Sequence, residues 1–311
     1  MADVPPLVVV AGATATGKTE LGIRLAEAYL AEGRAATVIS ADSRQVYRGL
    51  DIGTAKVRGA DRARVPHAGL DLVDPPERFA VADFVGHART VLAEVAAQDG
   101  VALLVGGTGL YLRAVARGVD LAALPDDPAV RERLENEFAA DGVAPLVERL
   151  RTRAPTLAAE IDTANPRRVI RALEIAELRG DGPRPAPQGY PGPVAWIGLT
   201  LDRVEHDRRI AVRARQQFDD GLVEEAVALR ERYDPGVPAF SAIGYREAWD
   251  VADGRLTLDE AVAADTQRNI AFARRQGTWF RSEPDIAWLD VTDTDTDTVD
   301  RALALARAAT G

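Results

Sequence analysis

Apolar residues fall along this chain in two rhythms: short unbroken runs, and longer stretches that repeat every three or four residues. Residues 7–11 (LVVVA), 36–40 (ATVIS), 101–105 (VALLV) and 194–201 (VAWIGLTL) are runs of strand length, mostly rich in β-branched side chains. Such runs predict strands buried on both faces. Helical patterns lie between them. One begins at Lys18 and puts Leu21, Leu25 and Ala28 on one face; another, over 82–98, repeats through Phe84, Val85, Ala88, Val91, Leu92 and Val95. Residues 70–73 (LDLV) read as a short strand within a loop, and 284–291 (PDIAWLDV) as a last one.

From about Val119 the strand rhythm stops. Asp127 before Pro128 starts a helix that Gly142 ends; Leu146, Val147 and Leu150 mark a second; Asn165 and Pro166 open a third that stops at Gly180. Residues 180–193, mostly Pro and Gly, read as a linker. Beyond residue 201, Asp202 and Glu205 open a helix with Ile210, Ala214 and Phe218 on its apolar face and Arg209 and Arg213 flanking it. Another helix starts near Leu222, and Thr257 with Glu260 caps a long one that runs toward Pro284. The expected organisation is an α/β core from 1–118 and 194–290, an all-helical insert at 119–193, and a tail at 291–311. That tail combines a polar low-complexity spacer, TDTDTDT, with a short helix.

Composition narrows the chemistry. A chain of 311 residues without cysteine has no disulfide, thiolate metal site or cysteine nucleophile. Its three histidines, His67, His87 and His206, are too dispersed to suggest a zinc site. A net charge of −10 argues against indiscriminate polyanion binding, so any nucleic-acid site must be a local basic patch. Without a long apolar span or basic leader, the expectation is a cytoplasmic protein that does not engage membranes. Of 38 lysines and arginines, only Lys18 and Lys56 are lysines. A lysine kept at residue 18 suits a position that needs a compact point charge. Lys56 is either a second functional lysine or a plain surface one.

Residues 12–19, GATATGKT, follow the first strand and open the first helix, the context a P-loop requires. Gly12 and Gly17 let the backbone bend so that the N–H groups from Gly12 through Ala13, Thr14, Ala15 and Thr16 can face an anion. The helix N-terminus and Lys18 add positive charge, and the Thr19 hydroxyl can ligate Mg²⁺. A di- or triphosphate is the expected ligand. Asp42, past the second strand, would sit across the phosphate site, placed to accept a proton or orient a nucleophile. The alternative for Asp42 is an Asp turn. After the third buried run come Gly106, Gly107 and Thr108, where an ordinary NTPase often ends in an Asp for Mg²⁺. A ligand contact from Thr108 is expected instead.

GATATGKT, ISADSRQVYRGLDIGTAK, LLVGGTGLYLRAV, NPRRVIRALEI, SAIGYRE and TQRNIAFARRQGTWFR together resemble the tRNA dimethylallyltransferase family, in the family's order, up to Arg281. The resemblance implies a P-loop NTPase fold, nucleotide kinase-like, with an all-helical insert. It implies transfer of dimethylallyl from dimethylallyl diphosphate to N6 of the adenosine just 3′ of the anticodon. Asp42 would take the amine proton, and Thr108 and Arg213 would stabilise the leaving diphosphate beside Lys18 and Mg²⁺ at Thr19. The tRNA anticodon stem-loop would meet Asp42, Ser43, Arg44 and Gln45, then Arg131, Arg167, Arg168 and Arg171, and Ser241, Gly244, Tyr245 and Arg246. A monomer is expected. Two rival readings are a small-molecule kinase using ATP and a prenyltransferase acting on free adenine nucleotide. The first leaves GGTGLY and the arginine helix without a task, and the second has no use for so large an insert. A non-catalytic RNA-binding protein is disfavoured by the intact Lys18, Thr19 and Asp42.

Overall fold

The structure is a computed structural model that describes residues 4–121, 123–292 and 297–310. Its strands are β1 (Leu7–Gly12), β2 (Ala36–Ser40), β3 (His67–Ala68), β4 (Val101–Gly106), β5 (Val194–Thr200) and β6 (Ala287–Asp290). They form one sheet in the order β3-β2-β4-β1-β5-β6, every pairing parallel. β1 lies between β4 and β5, with Val9 opposite Leu104 on one side and Trp196 on the other. Because both faces of β1 are covered, all six of its residues are buried, which is why its sequence is unbroken apolar rather than alternating.

Helices α1 (Lys18–Ala31), α2 (Gly59–Arg64), α3 (Val81–Ala96) and α4 (Gly109–Ala116) belong to the first part of the core. After the insert, with α5 (Pro128–Asp141), α6 (Val143–Arg153), α7 (Pro155–Ala159) and α8 (Pro166–Arg179), come α9 (Arg203–Asp219), α10 (Leu222–Arg232), α11 (Tyr245–Ala252), α12 (Leu258–Arg281) and α13 (Thr298–Thr310). The chain divides into two compact units, Met1–Arg117 with Tyr190–Gly311, and Gly118–Gly189. The chain rejoins the first unit at Tyr190, whose hydroxyl donates to the Pro5 carbonyl at 2.7 Å, somewhat before the strand rhythm resumes.

The helix starts follow their capping residues. Asp127, Asn165 and Asp202 each accept two N–H groups of the following turn, and Thr257 and Glu260 form a reciprocal box. The insert folds on its own apolar centre of Leu134, Leu146, Leu150, Leu157, Val169 and Leu173. In the tail, Ala302, Leu303 and Ala306 of α13 pack with Ile23 and Ala26 of α1 and with β-strand residues. The last helix is thus part of the core; four residues of the TDTDTDT spacer, 293–296, lie outside the described residues.

Two expectations need correction. Residues 70–73 are not a strand. The edge strand is His67–Ala68, and Val73 makes only an isolated bridge to Tyr47. Asp71 sits at φ 56°, a left-handed conformation no strand can contain. Lys56 is neither a surface lysine nor a ligand-binding one. It is 4 % exposed, and its ammonium donates to Asp51 (2.6 Å), Asp71 (2.7 Å) and the Tyr47 carbonyl (2.8 Å), tying together the loops that follow β2 and β3. The two carboxylates keep part of their hydration, so the pair costs less to bury than a fully enclosed one. Substituting Lys56→Met removes the cation and leaves two facing carboxylates. The urea midpoint should fall by the equivalent of about 1–3 kcal/mol with little change in the slope of the transition.

Candidate active site

Three turns converge at the carboxyl ends of neighbouring strands, where parallel α/β sheets bind ligands. β1 runs into the loop that opens α1, β2 into Asp42, and β4 into Gly107 and Thr108. The first loop turns through Ala15 (φ 61°) and Gly17 (φ 89°), both left-handed, and no side chain caps α1. The helix N-terminus therefore keeps its first-turn amides for an anion. The loop rests on α9 and α12 through Ala13, Ile210 and Ala273.

Two cations serve this loop. The Lys18 ammonium donates to the Ala13 carbonyl, which also accepts the Thr16 hydroxyl at 2.9 Å. Burial and the nearby Arg213 push Lys18 down to about 7, against the pull of Asp42. Burial likewise lowers Arg213 from the usual guanidinium range, although Asp265 and Asp42 oppose it. Among the described residues, neither cation has a carboxylate within salt-bridge distance. Arg209, by contrast, is spent on Glu205 and the carbonyls of Val291 and Thr292. The two cations thus face the loop without a direct carboxylate contact among the described residues, and Asp42 and Asp265 act on them only from beyond salt-bridge distance.

Asp42 is held by its own turn, its Oδ1 accepting N–H groups of Arg44 (2.8 Å) and Gln45 (3.4 Å). The turn and the functional reading coexist, since Oδ2 has no hydrogen bond among the described residues. The Thr108 hydroxyl accepts the Ser43 N–H at 3.0 Å, so its own proton remains available to a ligand. The Thr19 hydroxyl is exposed and carries no hydrogen bond among the described residues. It could join a Mg²⁺ ion whose other ligands are diphosphate oxygens and water, because no cluster of three acidic or histidine side chains forms a metal site among those residues.

Four polar side chains that the sequence reading left without a role support the pocket. Gln276 accepts the Thr14 N–H at 2.8 Å and donates to the Gly107 carbonyl at 2.9 Å. His206 Nε2 lies 2.8 Å from the Thr14 carbonyl oxygen. Asn269 donates to Asp265 Oδ2 at 2.8 Å and presents its oxygen to Arg213 at 3.4 Å. Asp265, Asn269 and Gln276 recur on the buried face of α12, and a polar residue repeating among apolar ones there was the available signal. Glu225 of α10 similarly accepts the N–H groups of Asp51, Ile52 and Gly53.

Some expected contacts fall elsewhere. The Thr14 N–H is taken by Gln276 and does not belong to the anion cradle. Tyr245 is fully buried with its hydroxyl on Glu225, a core residue rather than an RNA-facing one. Arg44 reaches the Pro238 carbonyl at 3.0 Å, which brings the Asp42–Gln45 turn beside the turn that carries Ser241; Arg246 is exposed. Gln45 spends its side chain on Ser40 and the Thr54 carbonyl. Gly244 donates to Glu247, and its φ of 102° favours glycine whatever the ligand. Of the four insert arginines expected to meet tRNA, Arg131 and Arg171 clamp the fully buried Glu174, and Arg167 and Arg168 stand exposed.

Fold and site define a parallel α/β protein with a P-loop after β1 and a carboxylate, Asp42, after β2. The sequence profile described as IPP transferase matches residues 45–283, and the chain belongs to that family. A tRNA dimethylallyltransferase of Roseiflexus sp. is 42 % identical over 93 % of this chain and 94 % of its own length. One from Bifidobacterium adolescentis is 40 % identical over 91 % and 84 %. Among solved structures, a tRNA isopentenylpyrophosphate transferase from Bacillus halodurans is 38 % identical, with a TM-score of 0.70 over 97 % of this chain and 95 % of that one. A eukaryotic dimethylallyltransferase acting on tRNA, at 22 % identity and a TM-score of 0.78 over 97 % and 79 %, shares the fold.

Burial, reinforced by Glu247, pushes the Asp265 carboxyl up to about 6 in spite of Asn269, Arg213 and Arg268. A folded-state value above the unfolded one means that the folded chain binds the proton more tightly, so the ionised group weighs against stability above pH 6. Asp265→Asn should therefore be more stable than the parent at pH 8, by up to about 3 kcal/mol. The advantage should fade between pH 6 and 4, as followed by urea unfolding at each pH.

Proposed function

We propose that this protein transfers the dimethylallyl group of dimethylallyl diphosphate to N6 of the adenosine 3′-adjacent to the anticodon, position 37, of tRNA. The products are N6-isopentenyladenosine and diphosphate. The observation that carries this reading is the pairing of two cations that have no carboxylate partner among the described residues, Lys18 and Arg213, with a carboxylate whose field both feel, Asp42.

In this transfer the allylic C–O bond breaks and its electron pair leaves with the diphosphate. Charge grows on that leaving group, so donors already aimed at it lower the barrier. The first-turn amides of α1, Lys18, Arg213 and the Thr108 hydroxyl are such donors. Mg²⁺, held at Thr19, would neutralise part of the same charge when bound. The exocyclic amine is a weak nucleophile because its lone pair is delocalised into the ring. Asp42 compensates by accepting a hydrogen bond from the amine and taking its proton as the N–C bond forms.

An adenine within a stacked loop must leave its stack to reach the cleft, as enzymes that act on bases require. The anticodon stem-loop is the segment of tRNA presented, and exposed arginines such as Arg246, with Arg167 and Arg168 in the insert, are suited to its phosphates. This is chemistry of the cytoplasm, and among the described residues no helix is long and apolar enough to cross a membrane.

Mass spectrometry of nucleosides after incubation with dimethylallyl diphosphate and tRNA should show N6-isopentenyladenosine. AMP in place of tRNA, or ATP in place of the donor, should give no product; the opposite pattern would refute the assignment. Asp42→Asn keeps the acceptor for its turn and loses the base. It should bind tRNA with little change and lower single-turnover transfer by about 10²-fold or more. Turnover near that of the parent would remove Asp42 from the role.

A further inference from the structure

The diphosphate cradle and the carboxylate that handles the base sit on different turns, after β1 and β2, and transfer requires a fixed distance between them. One buried side chain spans the gap. Gln276 arrives from α12, more than 250 residues along the chain from the loop it touches, and is 9 % exposed. Its Oε1 accepts the Thr14 N–H, and its Nε2 donates to the Gly107 carbonyl. Gly107 is bonded covalently to Thr108, whose hydroxyl accepts the Ser43 N–H, and Ser43 follows Asp42. A continuous path of 2.8, 2.9 and 3.0 Å hydrogen bonds therefore runs from the phosphate loop to the base.

The opposite side of the contact is shaped for the same purpose. A Cβ on Gly107 would lie 2.4 Å from Gln276 Nε2, so any larger residue there must push the amide off this contact. The amide also has the right chemistry, with an acceptor oxygen and a donor nitrogen side by side. It must accept from a peptide N–H and donate to a peptide carbonyl at once, which a carboxylate or an ammonium cannot do. His206 of α9, 2.8 Å from the Thr14 carbonyl oxygen, holds the next peptide of the loop.

We propose that Gln276 is a positioning residue that sets the separation between the diphosphate and Asp42, acting through Thr14 on one side and Gly107 and Thr108 on the other. It touches neither substrate. This rests on the transferase reading above. Loosening the strut leaves the cradle and the base each intact but out of register, and a misplacement near 1 Å costs about 10²-fold in rate. Binding of each substrate depends on its own turn and is spared.

The test compares the parent with Gln276→Ala, Gly107→Ala and the double variant, in transfer from dimethylallyl diphosphate to tRNA and in binding of inorganic diphosphate. Each single variant should lower kcat by about 10- to 100-fold, while KM for tRNA and the affinity for diphosphate move less than threefold. The double variant should be no slower than the worse single one, because both act on the same contact. Three results would overturn the proposal: a kcat within twofold of the parent in both singles, a loss of diphosphate affinity as large as the loss of kcat, or multiplicative effects in the double variant. Should Gln276→Ala not fold, Gly107→Ala and Gln276→Met carry the same criterion, and unfolding of all three would mark the contact as structural only. An inactive parent protein would instead refute the transferase reading itself, so the two failures are distinguishable.

Discussion

The site depends on keeping positive charge uncompensated. An ammonium and a guanidinium near each other inside a protein seek carboxylates, and Lys18 and Arg213 are denied them among the described residues. Each is given a neutral partner instead, the Ala13 carbonyl for Lys18 and the Asn269 amide for Arg213. A neutral partner orients a cation without spending its charge. The cost appears in the Lys18 ammonium, driven down to about 7 by burial and Arg213, and in the Arg213 guanidinium, lowered by its own burial. A diphosphate bound as proposed would restore the balance, and the energy withheld from the free protein would become affinity for the anion.

The same economy explains why three strand ends carry the chemistry while two late helices position it. Parallel strands bring their carboxyl ends to one edge, and the turns there are free to bend, but bent turns do not hold a distance by themselves. α9 supplies His206 and Arg213, and α12 supplies Asp265, Asn269 and Gln276. These helices pack on each other and on the P-loop through Ile210 and Ala273. Rigid rods packed on the core hold side chains more steadily than loops do, which suits them to fixing a gap between two substrates. The P-loop of this protein is therefore gripped from outside as well as shaped from within.

Much of the architecture could be read from local pattern, because local physics controls it. The four long apolar runs became the four long strands, and Asp127, Asn165, Asp202 and Thr257 cap the helices they were expected to open. GATATGKT could be read for the same reason: a loop between a strand and a helix has few ways to arrange its amides. The edge strand, His67–Ala68 instead of the expected 70–73, could not, since two residues of edge pairing depend on a neighbour the local sequence does not specify. Lys56 was ambiguous because its two carboxylates come from separate loops, and Tyr245 because its partner Glu225 lies on another helix.

What the sequence settled by itself was the set of elements, the anion-binding loop and the family motifs, all of which reside in runs of neighbouring residues with strict spacing. What only the tertiary structure decided was which polar groups meet. Thr14 and Gln276 are separated by 262 residues, Ser43 and Thr108 by 65, and Arg213 and Asn269 by 56. Capping and periodicity act over a single turn of backbone, whereas the hydrogen bonds that place a base against a leaving group form only once the sheet has gathered its strand ends and the late helices have packed beneath them.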